Sequence, residues 1–138
     1  MKTNENPRAL KALMKQAEKA ARRAYAPYSE FRVGAALKLS NGEIVTGANV
    51  ENASFGLTIC AERSALARAV AQFGPKIRIT AVAVANLNGK PSPPCGACRQ
   101  MLAEFADQDA PVMFPAAEGV RTMAFKDVLP LGFEFRLK

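Results

Sequence analysis

A chain of 138 residues, 49% hydrophobic and 22% charged, has the length of one domain (1–138) and the apolar content of an ordinary core. No apolar run approaches the ~20 residues that cross a bilayer, and residues 1–7 lack the apolar centre of a signal peptide, so a cytoplasmic protein without membrane association is expected. The formal charge of +7 invites a nucleic-acid reading. Yet Lys11, Lys15, Lys19, Arg22 and Arg23 fall on one expected helix, and no dense basic run interleaves with aromatics. A solvated basic face is the better meaning, and no specific nucleic acid is expected.

Asn6 followed by Pro7 marks a helix start: a side chain that accepts from the first turn, then a residue with no N–H to leave unpaired. Leu10, Leu13, Met14, Ala17, Ala21 and Ala24 continue at helical spacing. The helix is expected to stop before Pro27, because a residue preceding proline avoids helical angles. Residues 31–39 alternate, with Phe31, Val33, Ala35, Leu37 and Leu39 on one face, which predicts a strand. Asn41-Gly42 signals a two-residue hairpin, with residues 43–48 as the antiparallel partner. Residues 60–72 read as a second helix with Ala65, Leu66 and Ala69 inward. Residues 77–85 are nearly all apolar, as suits a central strand buried on both faces. A loop over 87–94 leads to a third helix over 96–106, burying Met101, Leu102 and Phe105. A short strand over 111–114 and a helical turn over 125–129 follow, and the alternation over 134–138 is like that of a further strand. A hairpin and then helix–strand alternation predict an α/β class: a mixed sheet of about five strands with helices on its faces.

The chemistry concentrates in three cysteines, in a chain with no histidine. Cys60 opens Cys60-Ala61-Glu62-Arg63. Cys95 and Cys98 form a Cys-x-x-Cys within Pro94-Cys95-Gly96-Ala97-Cys98-Arg99-Gln100. An odd count cannot form a closed disulfide framework, and a reducing compartment keeps thiols free for metal. Three soft ligands with one open position describe a catalytic zinc site, whereas a structural one uses four protein ligands. Both segments fall at expected helix starts, where the macrodipole and free N–H groups favour thiolate. Zinc held this way brings the pKa of its water toward neutrality. Three thiolates make the metal electron-rich, and Arg63 or Arg99 is placed to offset this by donating to the sulfurs. Glu62, on the same helical turn as Cys60, is placed to take a proton from the water and pass it to a leaving group. Such a site attacks an sp² carbon hydrolytically. The alternatives are three ordinary buried cysteines, a structural zinc completed by Asp or Glu, and a Cys-x-x-Cys redox pair. The last leaves Cys60 and Glu62 unexplained.

The two cysteine motifs together resemble the zinc-dependent cytidine deaminases. Ala24-Tyr25-Ala26-Pro27-Tyr28-Ser29-Glu30-Phe31-Arg32-Val33-Gly34-Ala35-Ala36-Leu37 is similar to the family's first-strand signature. Gly47-Ala48-Asn49-Val50-Glu51-Asn52-Ala53-Ser54 is similar to its ribose-binding segment, and Leu129-Pro130-Leu131-Gly132-Phe133 to its C-terminal motif. Polynucleotide, tRNA and deoxycytidylate deaminases carry histidine where this chain has Cys60, so the resemblance points to the short, homotetrameric nucleoside type.

The resemblance implies a three-layer α/β/α cytidine-deaminase-like fold and one Zn²⁺ per subunit on Cys60, Cys95 and Cys98. It implies Glu62 as the catalytic proton shuttle, Arg63 supporting the sulfurs, and hydrolytic deamination of cytidine and 2′-deoxycytidine in pyrimidine salvage. Phe31 would stack on the pyrimidine, Asn49 and Glu51 would bind the ribose 3′-hydroxyl, and Glu62 with the Ala61 backbone would hold the base edge. Ala53 and Phe55 would reach a neighbouring subunit's site and Phe133 would close another, in a homotetramer with shared active sites. Relatives often carry tyrosine at the position of Phe55, so a hydroxyl expected near the ribose 5′-OH is absent. Each residue has a plainer reading as well: Phe31 as core, Asn49 and Glu51 as a solvated turn, Phe133 packed on its own subunit. The competing functions are a deaminase of another small amino-heterocycle such as blasticidin S, an RNA-binding or editing protein, and a non-catalytic zinc module. The blasticidin S relatives lack a match to the Asn49–Ser54 segment.

Overall fold

The computed structural model describes residues 6–135; residues 1–5 and the last part of the expected C-terminal strand, 136–138, lie outside them. Asn6 caps the first helix: its side chain accepts from the Ala9 N–H at 2.8 Å, and Pro7 opens α1 (Pro7–Ala21). The helix ends three residues short of Ala24. The chain then turns so that the Tyr25 N–H reaches Asn49 O (3.0 Å) and the Glu51 N–H reaches Tyr25 O (2.8 Å), and this pairing outcompetes another helical turn.

Strands β1 (Val33–Leu39) and β2 (Ile44–Ala48) form the expected hairpin. Its turn is one residue longer than Asn41-Gly42 alone implies. Leu39 N–H donates to Glu43 O, and Gly42 takes φ 89°, a left-handed position that favours glycine. Strands β3 (Ile79–Asn86), β4 (Pro111–Ala116) and β5 (Gly119–Ala124) complete a sheet of order β2-β1-β3-β4-β5. The β3–β4 pair is parallel and the others antiparallel, so the sheet is mixed.

The sequence pattern does not predict β5, and Glu134 and Phe135, where the alternation is like that of a strand, carry none. β5 is an edge strand exposed from Gly119 to Thr122, with Val120 59% exposed, so those residues show no alternating buried face; pairing along β4 makes it a strand.

The sheet has a layer on each face. Leu13, Met14 and Ala17 of α1 pack on Ala36, Ala81, Ala83, Ala85 and Met113. This face is lined with alanine because α1 lies almost backbone to backbone on β1: a Cβ at Gly34 would stand 2.0 Å from Ala17 O. On the other face, α2 (Ala61–Phe73), α3 (Gly96–Ala103) and α4 (Phe125–Val128) cover Leu37, Val82, Val84 and Val112. α3 stops at Ala103, earlier than expected. It buries Cys98 and Leu102, one turn apart, and leaves Phe105 half-buried. Met101 is 43% exposed, contrary to expectation, because it flanks that buried stripe rather than continuing it.

This topology fixes where chemistry can occur. α2 follows the end of β2, α3 follows the end of β3, and antiparallel β1 begins at the same edge. The start of β1 and the carboxyl ends of β2 and β3 therefore converge with the N-termini of two helices.

Candidate active site and metal centre

Cys60 is the N-cap of α2 and Cys95 the N-cap of α3, and Cys98 lies in the first turn of α3. The three sulfurs lie within 4.8 Å of one another, with Cys60–Cys95 at 3.9 Å and Cys95–Cys98 at 3.3 Å. A tetrahedral zinc with Zn–S bonds of about 2.3 Å sets its sulfurs roughly 3.8 Å apart, so the donor set fits that ion. The Cys98 N–H points at the Cys95 sulfur at 3.5 Å, as a helix N-terminus does toward an anion.

Arg63 donates through Nη2 to the Cys60 sulfur (3.6 Å) and to Thr58 O (3.1 Å), and its buried Nε has no partner among the described residues. A cation held there offsets the charge of three thiolates. The contact with Cys98 and then the Arg63 guanidinium hold the Cys60 thiol down at about 5. Cys98 is pushed above the ordinary thiol range, first by its contact with Cys60 and next by burial. Arg99 is not the second cation at the sulfurs. Its Nε donates to Pro94 O (2.6 Å) and its Nη1 to Val128 O (2.9 Å), so it pins the loop before Cys95 to α4.

Glu62 is 4% exposed on the first turn of α2. Burial pushes its carboxyl above the ordinary carboxylate range, and the neighbouring Cys60 thiolate adds to the effect. Above it opens a cleft of about 230 Å³. Phe31, Val33, Val84 and Pro93 form its apolar walls, and Asn49, Thr58, Glu62 and Ser92 are the polar residues of its lining. Cys60, Ala61 and Cys95 also line this cleft.

Not every candidate reaches the cleft. Glu51 sits on the adjoining loop, where its carboxylate accepts from the Ser29 hydroxyl and from the N–H groups of Tyr28 (3.0 Å) and Ser29 (3.1 Å). These donors, the Ser29 hydroxyl first, hold it below the usual carboxylate range. Asn49 is buried and braces β1, accepting from the Val33 N–H (2.9 Å) and donating to Phe31 O (2.9 Å). Ala53 is exposed, and Phe55, 76% exposed, lies on a 3-10 turn (Phe55–Leu57) with an edge-on contact to Tyr28 at 6.4 Å. Phe133, 70% exposed, borders a separate hollow with Arg78 and Phe125, and its backbone pairs with the Gln100 side chain. Sequence reasoning did not single out Ser29, Thr58, Asn86 or Asn88. Asn88 acts on backbone atoms distant in the chain, which leaves no local pattern; Ser29 meets the Glu51 side chain, and Thr58 and Asn86 serve nearby loop atoms that no motif marks.

Cys98→Ser is expected to abolish stoichiometric metal binding, because the buried ligand is replaced by a hydroxyl that holds its proton at neutral pH. Zinc per purified chain should fall from about one to near zero, as read by atomic absorption. Retention of a full equivalent would remove Cys98 from the ligand set.

A metal held by three thiolates, with a buried carboxyl alongside and a small apolar-walled cleft above, is the arrangement of a metal-dependent hydrolytic enzyme. Comparison with known proteins specifies which kind. Residues 7–114 match the model of the cytidine and deoxycytidylate deaminase zinc-binding region, and the chain belongs to that family. A cytidine deaminase of Halalkalibacterium halodurans is 43% identical over 122 residues, covering 88% of this chain and 91% of that protein. Among solved structures, the cytidine deaminase of Burkholderia pseudomallei superposes with a TM-score of 0.80 at 43% identity, covering 89% of this chain and 98% of the other. That of Mycobacterium tuberculosis gives 0.79 at 37% identity, covering 91% and 98%. The expected mixed α/β sheet with helices is thus the fold of these neighbours.

Proposed function

We propose that this chain hydrolyses cytidine and 2′-deoxycytidine to uridine and 2′-deoxyuridine, releasing ammonia. The observation that carries this reading is Glu62, buried beside the three sulfurs at the base of a cleft walled by Phe31. Zinc on Cys60, Cys95 and Cys98 supplies Lewis acidity toward water when bound. The residues do the rest. Phe31 and Val33 take the flat face of the pyrimidine, and the narrow cleft keeps bulk water from the ring. Glu62 with the Ala61 backbone holds the base edge and sets C4 over the sulfurs. The Glu62 carboxylate takes one proton from water and delivers it to N3 as the water oxygen adds at C4, then passes the water's second proton to the departing amine. Burial raises its carboxyl above the ordinary carboxylate range, which suits a group that takes up a proton and returns it.

Asn49 and Glu51 are assigned to the ribose 3′-hydroxyl. The Ser29 hydroxyl first, and then the Ser29 and Tyr28 N–H groups, keep the Glu51 carboxylate charged and oriented for that role. Ala53, Phe55 and Phe133 are exposed and do not line their own cleft, and Phe55, Leu57, Leu131 and Phe133 together leave much apolar surface exposed. This supports a homotetramer in which they complete the clefts of neighbouring subunits. The free thiols favour the reducing cytoplasm and a place in pyrimidine salvage.

Ammonia release from cytidine and from free cytosine separates the two parts of the assignment. The zinc-loaded protein is expected to deaminate cytidine and to leave cytosine nearly untouched. Equal rates would overturn the ribose contacts, and inactivity toward both would overturn the reaction and favour another amino-heterocycle.

A further inference from the structure

The segment from Glu30 to Val33 precedes and opens β1, yet every backbone hydrogen-bonding group in it has a partner. Glu30 N–H donates to Ala26 O, Phe31 N–H to the Ser29 hydroxyl, and Leu87 N–H to Arg32 O. The side chain of Asn49 serves Phe31 O and the Val33 N–H, while its own N–H serves Val33 O. The remaining two groups fall to a residue that no motif marks. Asn88 donates through Nδ2 to Glu30 O (3.1 Å) and accepts the Arg32 N–H at Oδ1 (3.2 Å). These are the backbone groups on either side of Phe31. Glu30, which carries the first of them, stands at φ 59°, the one non-glycine residue with positive φ among the described residues. A side-chain-bearing residue keeps that conformation only where its surroundings impose it.

Asn88 is itself fixed from the other wall of the cleft. Its N–H donates to Asn86 Oδ1 (2.9 Å), and Asn86 Nδ2 donates to Lys90 O and the Ser92 hydroxyl, both at 2.8 Å. Ser92 and Pro93 line the cleft, and the same loop delivers Cys95. We propose that Asn88 is a positioning residue for pyrimidine binding: its amide clamps the backbone on both sides of Phe31 and ties that wall to the loop carrying Pro93 and Cys95. The clamp sets the width of the slot into which a flat ring slides. It rests on the reading of Phe31 as the pyrimidine wall, and it acts on binding rather than on the proton transfer at Glu62.

Asn88→Ala removes both contacts and leaves the backbone link to Asn86. The zinc-loaded variant is expected to show KM for cytidine raised about tenfold, with kcat little changed, in keeping with two lost hydrogen bonds. Asn88→Asp keeps the acceptor for the Arg32 N–H, loses the donor to Glu30 O, and should fall between parent and alanine variant. Zinc content should stay at the parental level throughout. In parallel, amide exchange followed by NMR should quicken at Arg32 in Asn88→Ala. A variant with parental KM overturns the proposal, as does one whose kcat falls at constant KM, or one that loses thermal stability alone. A parent chain inactive on cytidine overturns the proposed function instead. In that case the Arg32 amide decides the clamp by itself, and unchanged exchange rejects it.

Discussion

Glu62→Gln is expected to keep the fold and the full zinc content while lowering turnover of cytidine by roughly 10²–10⁴-fold, the usual contribution of a positioned acid–base group. Gln has nearly the same shape and fits the same buried space, so the packing around it is preserved. It can still hydrogen-bond a base edge. It cannot accept a proton from water or release one to N3 and then to the amine. Steady-state ammonia release measured alongside zinc content separates the cases. Normal zinc with turnover near the parental rate would take the proton shuttle away from Glu62, whereas lost zinc would make the variant uninformative about chemistry and return attention to Cys60 beside it.

Gly47→Ala is expected to damage both stability and activity. Gly47 lies in β2 directly beneath α2, and a Cβ there would stand 2.4 Å from the Ala65 nitrogen and 2.8 Å from Ala61 O. Both neighbours are backbone, so no rotamer change relieves the overlap and the helix must move. Overpacking of this kind costs about 3 kcal/mol or more, which for a chain of this size lowers the thermal midpoint by roughly 10 °C. The site suffers with it, because α2 begins with the cap Cys60 and carries Glu62 and Arg63 on its first turn. Gly34→Ala presses α1 on the opposite face with a similar overlap, but α1 bears no site residue. Gly47→Ala should therefore lose zinc affinity and turnover beyond what its midpoint predicts, and Gly34→Ala should lose stability with the site intact at temperatures where it is folded. Equal loss of activity per degree in the two would contradict the link from β2 through α2 to the metal site.

The metal ligands were legible in the sequence because ligand chemistry is local. Cys60 and Cys95 each stand at a helix cap, and Cys98 is one turn further on, so spacing alone puts the sulfurs at helix N-termini. Strands β1 and β3 were legible for a related reason: alternation in one and unbroken apolar residues in the other record how many faces are buried. β5 left no such record, since an edge strand borrows its structure from β4. Met101 misled because helical spacing predicts a stripe but not its width. Arg63 and Arg99 were indistinguishable as partners of the sulfurs; the tertiary structure turns one to Cys60 and the other to Pro94 O and Val128 O. Asn88 was invisible for the deepest reason. Its two partners lie more than fifty positions away and are backbone atoms, so no residue type at either end records the contact.

The proposed activity is hydrolytic replacement of the C4 amine. The direct measurement is mass spectrometry of the nucleoside product formed from cytidine by the zinc-loaded protein in water enriched in heavy oxygen. The expected product is uridine carrying one solvent oxygen at C4, with one ammonia released for each uridine. Unchanged cytidine, or uridine without the solvent label, would contradict it.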